Sequence, residues 1–199
     1  MLLRQVRPSI ESMPDVTTEP SADLQLLLDI QNGDEKAFER FYLTYYPRLH
    51  RFILRVTHRP DTVEELIQDT LMVVWEKPDG FDHSCKVSTW VFGIAYRKSL
   101  KSLVKAGKRS DHLDLDEFAD VLADPSPTAA LVMENANWIE DSLARLPPDQ
   151  RAVVELTFHH GLHYREIAEI LGCPENTVKT RMFHARKKLQ SYAVAILED

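Results

Sequence analysis

Apolar residues recur at helical spacing along the chain beyond residue 20, and no segment alternates apolar and polar residues as a half-buried strand would. The first stripe follows Ser21, which is suited to cap a helix, and ends at Gly33. Asp34 is suited to cap the next helix, which is long and rich in aromatic residues. The apolar positions of these two stripes are Leu24, Leu27, Leu28, Phe38, Phe41, Tyr42, Tyr45, Leu49, Phe52, Ile53 and Val56. The pattern predicts an all-α fold.

Two more helices are predicted before residue 106. Asp61 and Glu64 have the spacing of a capping box, which predicts a helix from Asp61 to about Glu76. The loop 77–87, which contains Pro, Gly and Ser, ends that helix. The last helix of this half is predicted to begin near Ser88 or Thr89 and to run into a basic segment.

Residues 164–189 have the pattern of a helix-turn-helix. Gly172 tolerates the positive φ that ends the first helix, and Pro174 suits the first turn of the second helix, where its missing N–H costs nothing. On a helical wheel, the second helix has a narrow apolar stripe opposite a polar face with long basic side chains on both flanks. The stripe consists of Val178, Met182, Ala185 and Leu189. A helix of this kind fits the major groove of DNA.

The chain is predicted to contain two small helical domains with different connecting segments. Residues 1–22 contain three prolines and no periodicity, which predicts a disordered arm. Residues 23–105 form the first module and residues 133–199 the second module. Between them, residues 106–132 carry six acidic and two basic residues, which predicts a flexible acidic linker.

Charge is distributed unevenly along the chain. The net charge is −7, yet two segments are strongly basic, and each lies on an amphipathic helix. The first consists of Arg97, Lys98, Lys101, Lys105, Lys108 and Arg109, and the second of Lys179, Arg181, Arg186, Lys187 and Lys188. The positive field is therefore local, which favours contact with nucleic-acid phosphates over a simple solvated surface.

Both modules resemble the extracytoplasmic-function group of bacterial sigma factors. The resemblance in the second module covers 161–189 (GLHYREIAEILGCPENTVKTRMFHARKKL). In the first module it covers 32–38 (NGDEKAF), 64–75 (EELIQDTLMVVW) and 88–97 (STWVFGIAYR). It implies a dissociable initiation subunit that directs RNA polymerase core to promoters, helps to open the DNA, and is held by an anti-sigma factor until a stress signal arrives.

The resemblance also implies three sets of functional residues. Docking on the clamp of the polymerase largest subunit is expected from Glu64, Glu65, Leu66, Gln68, Asp69, Leu71 and Trp75. Recognition and melting of the −10 element is expected from Phe81, Trp90, Tyr96, Arg97, Lys98, Lys101 and Lys105. Recognition of the −35 element is expected from Asn176, Thr177, Lys179, Thr180, Arg181, Phe183, His184, Arg186 and Lys187. The second module is further expected to contact the polymerase flap.

Several positions depart from the family pattern. Tyr96 and Arg97 stand where the family usually has an Arg-Asn pair, and Lys101 stands where it has Asp. Val87 replaces a larger apolar or aromatic residue, and His184 replaces a frequent arginine. The −10 sequence preference therefore cannot be transferred from relatives.

Other functional classes fit the sequence less well. No stretch is long and apolar enough to span a bilayer, and the two cysteines suit a reducing compartment, so a cytoplasmic location is expected. A metal site at His159, His160, His163 and Cys173 lacks zinc-finger spacing. No catalytic motif is evident, so neither an enzyme nor a cofactor is expected. A repressor or response regulator remains the alternative among DNA-binding proteins, and a metal-dependent hydrolase the alternative among enzymes.

Overall fold

The computed structural model describes residues 21–107 and 141–197, which fold into helices. The first module contains α1 (Ala22–Gln31), α2 (Glu35–Thr57), α3 (Pro60–Glu76), a 3₁₀ turn (Pro78–Gly80) and α4 (Val87–Gly107). The second module contains helical residues at 141–144, followed by α5 (Pro148–Phe158), α6 (Tyr164–Leu171) and α7 (Glu175–Leu197). No strand occurs in these ranges, which confirms the all-α prediction. The arm at 1–20 and residues 108–132 of the linker lie outside the described residues.

The first two helices begin where the caps predict. Ser21 Oγ accepts from the backbone N–H of Leu24 at 3.4 Å, and Asp34 Oδ1 accepts from that of Lys36 at 2.8 Å. These bonds satisfy N–H groups that have no partner inside the helix. The capping box at Asp61 is wrong, because α3 begins one residue earlier, at Pro60. Proline needs no N–H bond in the first turn of a helix and therefore starts this one.

The core of the first module is built around α2, which packs against α1, α3 and α4. Its aromatic stripe is completely buried at Phe41, Tyr45 and Phe52. Burial of each of these side chains stabilises the fold by about 1.5–3 kcal/mol. The hydroxyl of Tyr45 donates to Asp23 Oδ2 at 2.7 Å, which fixes α1 against α2.

The two modules also pack against each other, which the sequence does not predict. Helix α2 contacts α5, and α4 contacts α6. The contact leaves the buried residues of both modules in one continuous core. We call this the closed arrangement. No helix in the part of the chain described is long and apolar enough to cross a membrane.

Candidate nucleic-acid interface

Helix α7 presents an exposed polar face above a buried apolar stripe. Val178, Met182 and Ala185 are at most 2% exposed and pack into the second module. The turn before α7 contains Gly172, whose φ of 64° lies in the left-handed region. Glycine adopts this conformation at little cost. The members of the −35 set that are exposed on α7 are Asn176, Lys179, Thr180, Phe183, His184, Arg186 and Lys187. The stripe predicted at these three positions is confirmed, and it turns the polar face outward.

Three basic residues of α7 have partners within the second module. Arg181 Nε lies 2.8 Å from Asp149 Oδ2, and its side chain is only 26% exposed. Lys179 Nζ pairs with Glu175 Oε1 at 2.7 Å, one turn earlier. The Arg186 guanidinium lies 6.0 Å from the ring centroid of Phe158 on α5. Arg181 therefore ties α7 to the start of α5. Thr177 is also partly buried, which distinguishes Thr177 and Arg181 from the exposed members of the −35 set.

Helix α4 divides the −10 set between an exposed face and a buried face. Arg97, Lys101 and Lys105 are exposed, whereas Tyr96 is only 4% exposed. Burial raises the pKa of Tyr96 to about 12, and the nearby positive charge of Arg181 opposes this shift. The basic edge of α4 is thus open, while Tyr96 faces the second module.

The loop before α4 holds its aromatic residue inward. Phe81 is 5% exposed, and its ring centroid lies 5.6 Å from that of Trp90 and 4.8 Å from that of His83. Trp90 is partly buried. Phe81 therefore packs on the buried side of Trp90. Trp90 is the more exposed of the two rings.

Helix α3 carries the polymerase-docking set on two faces. Glu64, Glu65, Gln68 and Asp69 are exposed, whereas Leu66 and Leu71 face the core. The Tyr46 hydroxyl donates to Glu64 Oε1 at 2.5 Å, and Lys98 Nζ lies 3.4 Å from Asp69 Oδ2. Trp75 is partly buried, with its ring 5.0 Å from that of Phe38. We define the acidic face of α3 as Glu64, Glu65, Gln68 and Asp69.

Met72 is a neighbour of the acidic face that the sequence analysis missed. It lies on α3 with 49% of its surface exposed, although it is a large hydrophobic residue. Its exposure could have been predicted from its position, because Met72 does not fall on the buried stripe of α3. A single exposed apolar residue is common on protein surfaces, so Met72 extends the acidic face but does not define a binding site alone.

The histidine-rich region is spread over different local structures. His159 Nδ1 lies 2.9 Å from Glu155 Oε2, and His160 packs among aromatic rings. The backbone N–H of His163 donates to Glu166 Oε2 at 3.0 Å at the start of α6. Cys173 Sγ accepts from Arg181 at 3.5 Å. Among the residues described, no three His, Cys, Asp or Glu side chains are placed to hold a metal ion.

Glu155 is a second residue that the sequence analysis missed. It is 2% exposed and interrupts an apolar run between Val154 and Leu156. Burial raises the pKa of its carboxyl, and the positive charges of Arg51 and Arg55 oppose the shift. The interruption of an apolar run by an acid was visible in the sequence, but its arginine partners lie a hundred residues away in the chain.

Comparisons with known proteins agree with both modules. The family model "Sigma-70 region 2" matches residues 41–109, and "Sigma-70, region 4" matches residues 136–189. The chain is 32% identical to the ECF RNA polymerase sigma factor RpoE of Cereibacter sphaeroides over 160 residues, which cover 80% of this chain and 87% of that protein. It is 27% identical to the RNA polymerase sigma-H factor of Pseudomonas aeruginosa over 186 residues, which cover 89% of this chain and 96% of that protein.

Solved structures give the same result. The sigma factor RpoE of Bartonella quintana, in complex with the anti-sigma factor NepR, matches with a TM-score of 0.62 at 28% identity and covers 79% of this chain and 97% of its own. CnrH, in complex with the cytosolic domain of CnrY, shares the fold with a TM-score of 0.65 at 23% identity, over 87% of this chain and 98% of its own. The order of the two modules, the helix-turn-helix and these relatives together show that the chain belongs to the extracytoplasmic-function family of RNA polymerase sigma factors.

Proposed function

We propose that each module of this sigma factor binds a separate promoter element and that the first module also binds the polymerase. The exposed polar face of α7, set on a buried stripe, is the observation that carries the proposal. That face reads the −35 element. The basic edge of α4 and the segment around Trp90 read and open the −10 element, and the acidic face of α3 docks on the polymerase clamp.

The domain boundaries of this proposal follow the two modules. Residues 23–105 act as the polymerase-docking and −10 domain, and residues 133–199 as the −35 and flap-binding domain, joined by the linker at 106–132. The chain acts in the cytoplasm, where bacterial polymerase works, as an initiation subunit and not as an enzyme.

An anti-sigma factor is the proposed inhibitor. Support comes from the RpoE of Bartonella quintana, which was solved bound to the anti-sigma factor NepR. The inhibitor competes with core polymerase, since a surface that is covered by one protein is closed to another.

Transcription from genomic DNA tests the function. The full chain is added to core polymerase, and the 5′ ends of the transcripts are sequenced. We expect a set of starts that is absent with core alone and shares two sequence elements upstream. Starts that are unchanged by the added chain would contradict the proposal.

A pair of substitutions on α7 tests how the −35 face works. Lys187→Ala removes one phosphate contact, so affinity falls for all sequences and the slope of log K against log salt decreases by about one unit. Asn176→Ala removes a base contact, so discrimination at one position falls by roughly 1–3 kcal/mol while the salt slope stays unchanged.

Binding is measured by fluorescence anisotropy over a salt series, with Lys36→Ala on α2 as the control for an exposed lysine away from α7. The assignment of roles fails if Lys187→Ala changes base preference, or if Asn176→Ala lowers the salt slope.

A further inference from the structure

The contact between the modules contains a buried carboxylate that pairs with two arginines. The Glu155 side chain on α5 is 3% exposed, and Arg51 Nε lies 3.1 Å from its Oε1 while Arg55 Nε lies 4.0 Å from its Oε2. Both arginines are on α2, in the other module. A carboxylate can be buried at low cost only where opposite charge compensates it. The first module therefore supplies the cations that allow Glu155 to be buried.

An aromatic contact lies beside this ion pair. The His160 ring packs against Phe92 and Phe52 of the first module, with centroid distances of 4.6 Å and 6.3 Å. Burial, followed by the positive charge of Arg48, lowers the pKa of His160 to about 4. The imidazole is therefore neutral near pH 7, and a neutral ring can pack between two phenyl rings without a charge to solvate.

Helices α4 and α6 complete the contact between the modules. A Cβ added at Gly93 of α4 would lie 3.8 Å from the carbonyl oxygen of Ile170 at the end of α6, which is van der Waals contact, so the two helices touch at this position. Lys86 Nζ, just before α4, lies 2.6 Å from Glu166 Oε1 of α6. The face of α4 that contains Gly93 and Tyr96 is consequently covered by the second module.

This arrangement conflicts with binding to a whole promoter. The positions that give the −10 and −35 elements their names differ by about 25 base pairs, which is about 85 Å of duplex at roughly 3.4 Å per base pair. In the closed arrangement, α4 packs against α6, and α6 packs against α7. The helices that read the two elements thus both pack against one small helix, and the modules must separate before both elements are bound.

We propose that Glu155 and the arginine pair Arg51 and Arg55 form an intramolecular clasp that holds this sigma factor in a promoter-incompetent closed state. The proposal rests on the proposed division of promoter reading between α4 and α7. It assigns a regulatory role to three residues that lie outside the docking, −10 and −35 sets.

The chemistry of the clasp makes it reversible. Separation of the modules exposes Glu155 on the surface of α5, where water can solvate it in place of the arginines. Since an ion pair between a buried carboxylate and partly exposed arginines gains little over its hydrated partners, the closed state is favoured only modestly. Binding of polymerase or DNA to the open state is therefore able to shift the equilibrium.

Distance measurements between the modules test the clasp directly. Spin labels are placed on the full chain at Glu39→Cys on α2 and Gln190→Cys on α7, in a background with Cys85→Ser and Cys173→Ser. Both labelled positions are exposed. We expect one short, narrow distance distribution for the parent chain. Glu155→Arg, and separately Arg51→Glu with Arg55→Glu, should give longer and broader distributions, because each places like charges together.

A charge swap separates the clasp from general damage. The triple variant Arg51→Glu, Arg55→Glu and Glu155→Arg restores opposite charges and should restore the short distance. Arg40→Glu makes the same charge change at an exposed position of α2 and should leave the distance unchanged. Circular dichroism measures helix content and identifies any variant that fails to fold. A variant that fails is replaced by Arg51→Glu alone, because the Arg51 side chain is 50% exposed and the substitution there disturbs the core least.

DNA binding gives the functional consequence. Affinity for a duplex with both elements should rise on the order of tenfold in the opened variants, because the competent fraction of molecules increases. Affinity for a duplex with the −35 element alone should stay the same, since the polar face of α7 is exposed in the closed arrangement.

Two results would overturn the clasp: a broad distance distribution in the parent chain, or a short one that persists in Glu155→Arg. If the distances change as expected but no variant prefers the two-element duplex, the clasp stands and the assigned promoter reading is wrong.

Discussion

The double variant Glu65→Lys and Asp69→Lys is expected to lose binding to core polymerase. Both side chains are exposed on the acidic face of α3. Like charges brought together at an interface cost several kcal/mol, and about 1.4 kcal/mol is tenfold in affinity. We therefore expect a loss on the order of a hundredfold or more. Native gels or a pull-down on tagged core polymerase measure it.

The ion pair between Asp69 and Lys98 requires its own control. Asp69→Lys breaks this 3.4 Å contact between α3 and α4 and places two lysines together. Lys98→Ala removes the pair without reversing the acidic face and should bind core normally. Glu39→Lys provides the same charge change as Glu65→Lys at an exposed position of α2. Normal core binding by the double variant, with helix content preserved, would remove α3 from the docking surface.

The second large effect is expected from Trp90→Ala. The ring of Trp90 lies at the surface end of its contact with Phe81, where an unpaired base can stack on it. Such stacking contributes about 1–3 kcal/mol per base, so we expect promoter opening to fall by about 5-fold to 150-fold. Closed-complex formation should change little, because phosphate contacts are made elsewhere.

Permanganate reactivity of thymines measures opening, and a filter-binding assay measures the closed complex. Trp90→Phe keeps an aromatic surface and should recover most of the opening. A Trp90→Ala protein that melts at a much lower temperature, or a Trp90→Phe protein as defective as the alanine variant, would instead make Trp90 a core residue that only supports the loop.

Local features of the chain were predictable from the sequence. The caps at Ser21 and Asp34 and the left-handed turn at Gly172 depend on residues at most a few positions apart, and the structure confirms all three. The same holds for the stripe that orients α7. Such features follow from steric limits and hydrogen bonds within one or two helical turns, which a single sequence displays directly.

The partners of individual side chains depended on the tertiary structure. The family resemblance places Phe81 and Tyr96 in segments expected to contact DNA, but packing between elements buries both of them. Arg181 belongs to a basic run, yet Asp149 lies 2.8 Å from it because α5 begins beside α7. A helical wheel shows which side of a helix is basic, but not which acid the neighbouring helix places there.

The contact between the two modules is the feature that depended most on the tertiary structure. The sequence determined two helical modules, because each has its own apolar stripes and caps. It did not determine that they close on each other, since Glu155 and Arg51 are about a hundred residues apart and neither residue alone requires the other. Only the folded chain brings them together, because a buried carboxylate needs compensating charge and α2 is the helix that packs against α5.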